Sequence, residues 1–484
     1  MRPQASLESR LSAADAVSLS RSALADEADI WIVGGAIRDA VLGDEVRDID
    51  LAVTPGEEKR IARTIADTAG GALFPLSEEH GTWRAISADR GWHADVSALR
   101  AETIEGDLRA RDFTVNTVAV PLQGGEPIDP TDGLADADRR VLRAVSEQSF
   151  SDDPLRLLRA PRLAARHRLE LDPGTAELAR KEAGRASEPA GERQFAELRG
   201  MVAGPDPLRA LAVMDELDVT AAVLPELAGL RGVVQTPNHH LDVHGHTLAV
   251  LERLLEVESD LPRFAGESAE GVAVLMAEPL ADEITRGGGL RFGALLHDIG
   301  KPATRAMRGP YVTFAGHDRA GAEIIGSICK RLRTSRELST HLQGLTLHHL
   351  HLGFLVHERP LSRRTIYDYL KKTEPVGADV TLLTAADRLA ARGEGQLASD
   401  EMIEAHLELV REMLPEALAW HADPPRPPLD GDELAAEVGI EPGPRMGEIL
   451  EALRAAAFSG EVTSREEALV LARGLASGDQ ASTP

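Results

Sequence analysis

Asp48 and Asp50 stand one residue apart in "RDIDLAV", and a glycine pair, Gly34 and Gly35, lies upstream in "VGGAIRDAVLG". In a β-strand, residues i and i+2 point to the same face. Two carboxylates side by side there repel unless a cation lies between them. Carboxylate oxygens suit Mg²⁺, which takes one or two of them and completes its shell with water and substrate phosphate. A pair of such ions stabilises both the attacking and the leaving oxygen of a phosphoryl displacement. The glycines serve the other half of that chemistry. Without a Cβ they let backbone N–H groups approach an anion closely, and the helix that follows aims its positive end at the same place. Arg38 adds a full charge one turn in. Gly-Gly turns and Asp-x-Asp loops are common without function, but the order strand, Gly-Gly, helix, Asp-x-Asp strand favours a triphosphate cradle facing a metal-binding strand.

The second concentration of chemistry is imidazole. Eleven of the 16 histidines lie between His239 and His357. Metal binding is the first explanation for such clustering. "GALLHDIGKPATR" holds adjacent His297 and Asp298, with His246 upstream and His317, His349 and Asp387 downstream. Mixed imidazole and carboxylate donors suit Mn²⁺, Fe, Ni²⁺ or Mg²⁺ better than a closed structural zinc site. The competing reading, histidines that cap helices or touch phosphate, is preferred for His239, His240, His348 and His351.

These groups need elements to hold them. Ile30 to Val33 reads as a strand, "AIRDAVLG" as a helix stopped by Gly43, and "DIDLAV" as a second strand. "EEKRIARTIADTAGG" is an amphipathic helix. "TWRAISA" and "WHADVSAL" alternate like strands around a turn at Gly91, and "FTVNTVAVPL" is β-branched and strand-like. After about Val145 the pattern is helical almost throughout, with Ser151 as a helix N-cap and Pro225 as an interruption. The fold class is α+β: a mixed sheet at the front, then all-α regions. The expected division is 1–145, 146–230, 231–395 and 396–475, with a disordered tail at 476–484. "HADPPRPPLDGDE" reads as a Pro-rich linker before the small helical tail.

Composition bounds the function. The chain of 484 residues is 43% hydrophobic and 27% charged, as a globular protein is, and only 3% aromatic, so its core is mostly aliphatic. Its net charge of −26 argues against indiscriminate nucleic-acid binding, which draws on Lys and Arg, though not against a local basic groove. The single cysteine, Cys329, excludes an internal disulfide and fits a reducing compartment. No apolar run is long enough to span a bilayer, and the N-terminus has no apolar segment of signal-peptide type. The expected location is cytoplasmic.

"VGGAIRD…RDIDLAV" resembles the signature of the DNA polymerase β nucleotidyltransferase superfamily. It is closest to class II tRNA nucleotidyltransferases, the CCA-adding enzymes, and the related bacterial poly(A) polymerases. "ARDFTVNTVAV" resembles that family's second motif, with Arg111, Asp112 and Asn116 present and Ala110 in place of a first arginine. "DDPLRLLRAPRL" resembles its nucleotide-selecting motif and "GERQFAEL" the helix after it, so the ordered motifs span residues 33–198. The resemblance implies Mg²⁺ at Asp48 and Asp50, with an RNA 3′-hydroxyl attacking the α-phosphate of CTP or ATP. Asp95 is a candidate third carboxylate, or simply an exposed strand acid. Arg38 and Arg111 are implied phosphate contacts. Asp112 and Asn116 are implied ribose contacts, or only turn and strand-start residues.

Asp153 and Arg156, read as neighbours on a helix, offer donors and acceptors resembling a base edge. In the family this pair reads C and A. Arg159 and Arg162 extend the row. A surface salt-bridge helix is the blander reading of the same spacing. Only "RAETIEGDLRARD" spans Arg100 to Asp112, where CCA-adding relatives carry a longer flexible segment, and this raises a CC-only activity. His246, His297, Asp298, His317 and Asp387 resemble the HD superfamily of metal-dependent phosphohydrolases. The implied partners are the tRNA 3′ end, CTP and ATP, with no membrane. The rivals are poly(A) addition, which shares every motif, and an HD phosphohydrolase whose front half only binds RNA.

Overall fold

The structure is a computed structural model, and it describes residues 3–77 and 81–477. Two compact units are distinguished, residues 1–223 and 224–484.

The first unit is built on a six-stranded sheet in the order β3-β4-β5-β2-β1-β6. The strands are β1 (Ile30–Val33), β2 (Ile49–Val53), β3 (Ala72–Ser77), β4 (Thr82–Ile86), β5 (His93–Ala98) and β6 (Ala119–Pro121). β2 and β5 run parallel and every other pair antiparallel, so the sheet is mixed as the sequence predicts. Register matters here: Asp50 lies opposite Val33 on one side and Asp95 on the other.

Strand alternation sorts the side chains. Ile49, Leu51 and Val53 enter the larger core with Ile61 and Ile65 of the Glu58–Thr68 helix. Val33 and Ala52 pack on the other side against Ile104 and Leu108. Asp50, between Ile49 and Leu51, belongs to that second face, which carries the chemistry. The Gly35–Leu42 helix ends where Gly43 takes the left-handed conformation, φ 90°, as expected of a glycine cap.

Three local expectations are corrected. "FTVNTVAVPL" contributes a strand only at Ala119–Pro121, while Thr114–Asn116 form a 3₁₀ turn. The Asp112 carboxylate accepts from the Phe113 N–H and the Asn116 amide, and the Thr117 hydroxyl donates to the Thr114 carbonyl. Such local bonds compete with the sheet ladder. Ser151 caps no helix. Pro154 forces Asp153 into extended backbone, φ −141° and ψ 99°, so one short helix ends at Asp152 and the next begins at Arg156. β3, "ALFPLS", was missed because its apolar residues do not alternate cleanly and Pro75 interrupts the run.

Among its described residues the second unit is helical apart from two short hairpins, Pro279–Ala281 with Ile284–Thr285 and Ala306–Arg308 with Tyr311–Thr313. Its metal-relevant helices are Val243–Ser259, Arg286–Leu296, His317–Arg331, Arg336–His348 and Gly377–Ala390. After the Asp400–Ala422 helix an irregular proline-rich stretch leads to a small three-helix tail. That tail has its own core around Leu434, Ile449, Leu453 and Ala468, and a capping box between Asp430 and Glu433 starts it. Its last helix runs to Ser477, and the rest of the expected disordered tail lies outside the described residues. Among the described residues no helix is long and apolar enough to cross a membrane.

Candidate active sites

A cavity of about 630 Å³ opens on the functional face of the sheet. It gathers residues from distant parts of the first unit: Gly34, Gly35 and Asp50, then Arg111, Asp112 and Asn116, then Asp153, Arg156 and Arg159. Gly34 is required at its position. Its φ is +72°, and a Cβ there would lie 3.1 Å from an Arg111 guanidinium nitrogen and 3.3 Å from an Asp50 oxygen. Asp48 lines an adjoining cavity of about 570 Å³ together with Asp50 and His93.

The acidic pair is not two equal strand residues. Asp48 lies just before β2, where His93 holds it through its backbone N–H at 2.9 Å and its Nδ1 at 2.8 Å. Burial opposes the Asp48 charge, but the His93 bonds outweigh it and keep the carboxyl below its ordinary range. Asp50 is pushed up, first by burial and then by the neighbouring Asp95 carboxylate. Crowded carboxylates with a raised proton affinity are what a divalent cation relieves. Asp95 itself is held by Arg84 in a two-pronged ion pair at 2.6 and 2.7 Å. His93 and Arg84 were missed in the sequence, because only strand pairing brings them to the acids, β2–β5 setting His93 beside Asp48 and β4–β5 setting Arg84 opposite Asp95.

Not every predicted arginine reaches the cavity. Arg38 lines neither cavity. It is buried, pairs with Asp39 at 2.7 Å and donates to the Asn116 amide oxygen at 2.8 Å. The Asn116 Nδ2 in turn donates to Asp112 at 3.0 Å, and Arg159 pairs with the other Asp112 oxygen at 2.7 Å. Burial opposes the Asp112 charge, but Arg159 and Asn116 hold its carboxyl down. Arg162 lines neither cavity and is ion-paired with Glu197. Asp153 and Arg156 share the cavity, but their side chains do not bond each other; only the Arg156 backbone N–H donates to the Asp153 carbonyl, at 3.1 Å. Asp153 pairs with Arg193 at 3.1 Å, and Arg156 donates to the carbonyls of Ser149 and Ala110.

In the second unit six side chains converge. His246, His297 and Asp387 form one set of donor atoms within 4.8 Å of one another, and Asp298, His317 and His349 form another. Asp298 joins them: its Oδ2 lies 3.2 Å from His297 Nε2, and its Oδ1 lies 3.4 Å from His317 Nε2. The imidazoles are set for cation binding. Nδ1 of His297, His317 and His349 each faces a backbone carbonyl, at 2.9, 2.8 and 2.6 Å. A carbonyl only accepts, so Nδ1 carries a proton, and a ring protonated there alone offers its Nε2 lone pair to a cation. His317 Nε2 and His349 Nε2 then face each other at 3.2 Å, where both rings could hold one cation. Gly300 permits the approach, since a Cβ there would lie 2.2 Å from the His317 carbonyl oxygen.

Residues 30–143 match the poly A polymerase head domain and residues 243–392 the HD domain. The chain is 36% identical over 445 residues to the A-adding tRNA nucleotidyltransferase of Deinococcus radiodurans, covering 90% of this chain and 93% of that one. It is 31% identical over 452 residues to the CC-adding tRNA nucleotidyltransferase of Thermus thermophilus, covering 91% and 92%. The chain belongs to the tRNA nucleotidyltransferase family. The fold agrees: a CCA-adding enzyme in complex with ATP superposes with a TM-score of 0.61 at 21% identity, covering 96% of this chain and 95% of that one.

For this tRNA nucleotidyltransferase both component domain families are metal-dependent, and the two donor sets of the second unit fit divalent cations. The sequence had left His349 unassigned within the run "LHHLHLG". Nothing in its spacing separates it from His348 and His351, whose Nδ1 atoms face each other at 3.1 Å away from the cluster. Lys301 was also missed: buried, it pairs with Asp298 at 2.6 Å and donates to Gln235 at 2.6 Å.

Proposed function

We propose that this tRNA nucleotidyltransferase transfers CMP to the tRNA 3′ end at the first-unit cavity, and that its HD centre hydrolyses phosphoesters. The observation that carries the first reading is the convergence of Gly34, Gly35, Asp50, Arg111, Asp112 and Asn116 on one cavity. Asp48 and Asp50 would hold Mg²⁺, with Asp95 as a third carboxylate once Arg84 releases it. When bound, the ions neutralise the triphosphate and favour ionisation of the 3′-hydroxyl that attacks the α-phosphate. The Gly34–Gly35 backbone and Arg111 receive the triphosphate. Asp112 and Asn116, oriented by Arg38 and Arg159, receive the ribose. Arg38 and Arg162 act from behind these residues rather than on phosphate. Asp153 and Arg156 read the base edge, and catalysis rests on positioning and charge rather than on a covalent intermediate.

CMP rather than AMP is favoured by the connection from Arg100 to Asp112. It is short and tied: Thr103 caps its helix, Asp107 accepts from the Arg100 N–H and from Arg111, and Arg156 is bonded to Ala110. A base reader tethered in this way has little freedom to change from C to A. Addition of A alone is the second reading, favoured by the 36% identity to an A-adding enzyme. Three tRNA transcripts, ending before, within and after CC, each given CTP or ATP alone, separate the two. Extension with CTP but never ATP is expected, and extension of only the CC-ended transcript by ATP overturns it.

At the HD centre Mn²⁺, Fe²⁺ or Ni²⁺ is favoured over Mg²⁺ by the imidazole-rich donors, with His246, His297, Asp387, Asp298, His317 and His349 as ligands. When bound, such a metal lowers the pKa of a water that attacks phosphorus. Terminal 2′,3′-cyclic phosphates of damaged RNA are the proposed substrates. Release of a linear monophosphate end from a cyclic-phosphate oligonucleotide tests this, and an inert substrate with a fully metallated centre would sink it.

A further inference from the structure

Aromatic residues are only 3% of this chain, yet two of the few stand in solvent on segments that leave the HD centre. Tyr311 is 64% exposed and lies on the Ala306–Arg308/Tyr311–Thr313 hairpin. That hairpin is the connection between the Asp298 segment and His317. Phe354 is 66% exposed and lies five residues after His349. Met307, 59% exposed, is on the same hairpin, and Val234, 64% exposed, precedes the Gln235 that holds Lys301. Burying such groups would stabilise the fold, and all four stand on segments that adjoin the ligand residues in the chain, which is where a partner of the HD centre would meet them.

The charge of the hairpin identifies the partner. Arg308 lies directly opposite Tyr311 across the two strands. Arg305 starts the hairpin, and Arg319 lies in the first turn of the helix that follows. All three are exposed, and among the described residues none has an ion-pair partner, in a chain of net charge −26. Unneutralised arginines beside exposed rings form the surface that single-stranded nucleic acid requires: phosphates meet guanidinium groups and bases stack on aromatic faces. A protein partner would be expected to bury a continuous apolar patch, whereas here the two exposed apolar side chains of the hairpin, Met307 and Tyr311, each have Arg308 as neighbour.

We propose that the 305–313 hairpin, with Phe354, is a docking lip that presents a single-stranded RNA end to the HD centre. The substrate class is then an oligonucleotide terminus with at least two unpaired bases, not a free mononucleotide. The role of the lip in hydrolysis rests on the phosphohydrolase reading above, but the surface itself does not.

The test uses the full chain and an RNA trinucleotide with 2-aminopurine at its second base and a 3′-terminal phosphate. Tyr311→Ala with Phe354→Ala is expected to abolish the quenching of 2-aminopurine and to weaken binding by about tenfold or more. Arg305→Glu with Arg308→Glu is expected to flatten the salt dependence of binding by about 0.7 in log–log slope per arginine. An unchanged thermal transition and unchanged metal content of the second unit report that each variant is folded. Unaltered quenching and affinity in both double variants overturn the proposal, as does quenching by a free mononucleotide equal to that by the trinucleotide. Protein chelated of its metal should bind the RNA as before. If binding responds to these variants while cyclic phosphates stay intact, the lip stands and the phosphohydrolase reading falls.

Discussion

The two candidate metal-binding regions present their donor groups in opposite ways. In the first unit the donors are carboxylates on or beside a sheet, open to a cavity, and steadied by cationic or hydrogen-bonding side chains: His93 on Asp48, Arg84 on Asp95. In the second unit they are imidazoles and carboxylates, buried except for half-buried Asp387, on helices or in the turns that end them, and for three rings a backbone carbonyl fixes Nδ1 as the protonated nitrogen. The first arrangement suits a hard, exchangeable ion that arrives with a triphosphate. The second suits a retained transition metal, because the proton positions and ring orientations are set before the ion enters. Side-chain partners leave a site adjustable, and backbone partners make it fixed.

The sharpest way to break this contrast is to disable one centre and read the other. Asp50→Ala should lower CMP incorporation by at least about a hundredfold while leaving cyclic-phosphate hydrolysis intact. Loss of both activities would mean the regions are not independent. His349→Ala should lower retained metal in the second unit by about 10–100-fold, read by elemental analysis after dialysis, with CMP incorporation unchanged. Brief chelation followed by Mg²⁺ should restore nucleotide transfer at once but not hydrolysis. Equal recovery of both would contradict the difference in exchangeability.

Subtler effects sharpen the comparison. Arg156→Ala should cost about tenfold or less in discrimination between CTP and ATP, measured as a ratio of kcat/KM, with little change in stability. The smallest effect concerns acid. Burial lowers His167 in the first unit and His406 in the second to about 4. A histidine whose folded pKa is depressed stays neutral while the unfolded chain takes up a proton. Stability is therefore complete above about 6.5 and is lost as pH falls toward 4. In metal-free protein His239 and His348, lowered to about 3 and about 4, add to the second unit, so its thermal transition should fall more steeply than that of the first.

Much of this was legible in the chain itself. β1, the Gly35–Leu42 helix and the strands carrying Asp50 and Asp95 follow from short apolar runs, a glycine stop and period-two alternation, though not their parallel pairing. His297 and Asp298 are adjacent, so their pairing needed no folding to be seen. The break at Asp153 was legible too, since Pro154 forbids a helical residue before it, yet the amphipathic pattern around it concealed the signal. Arg38 misled for another reason: a charge one turn into a phosphate-facing helix looks like an anion contact, and only burial turns it toward Asn116.

The sequence alone determined which chemistries were possible, because residue type sets donor hardness, charge and proton affinity, and local period sets the element on which each donor rides. Tertiary structure decided which donors meet. His93 reaches Asp48, Arg84 reaches Asp95, and His349 rather than His348 faces His317, through strand register and helix rotation that no local pattern encodes. These contacts join residues far apart in the chain, and their geometry is fixed by packing the whole core at once.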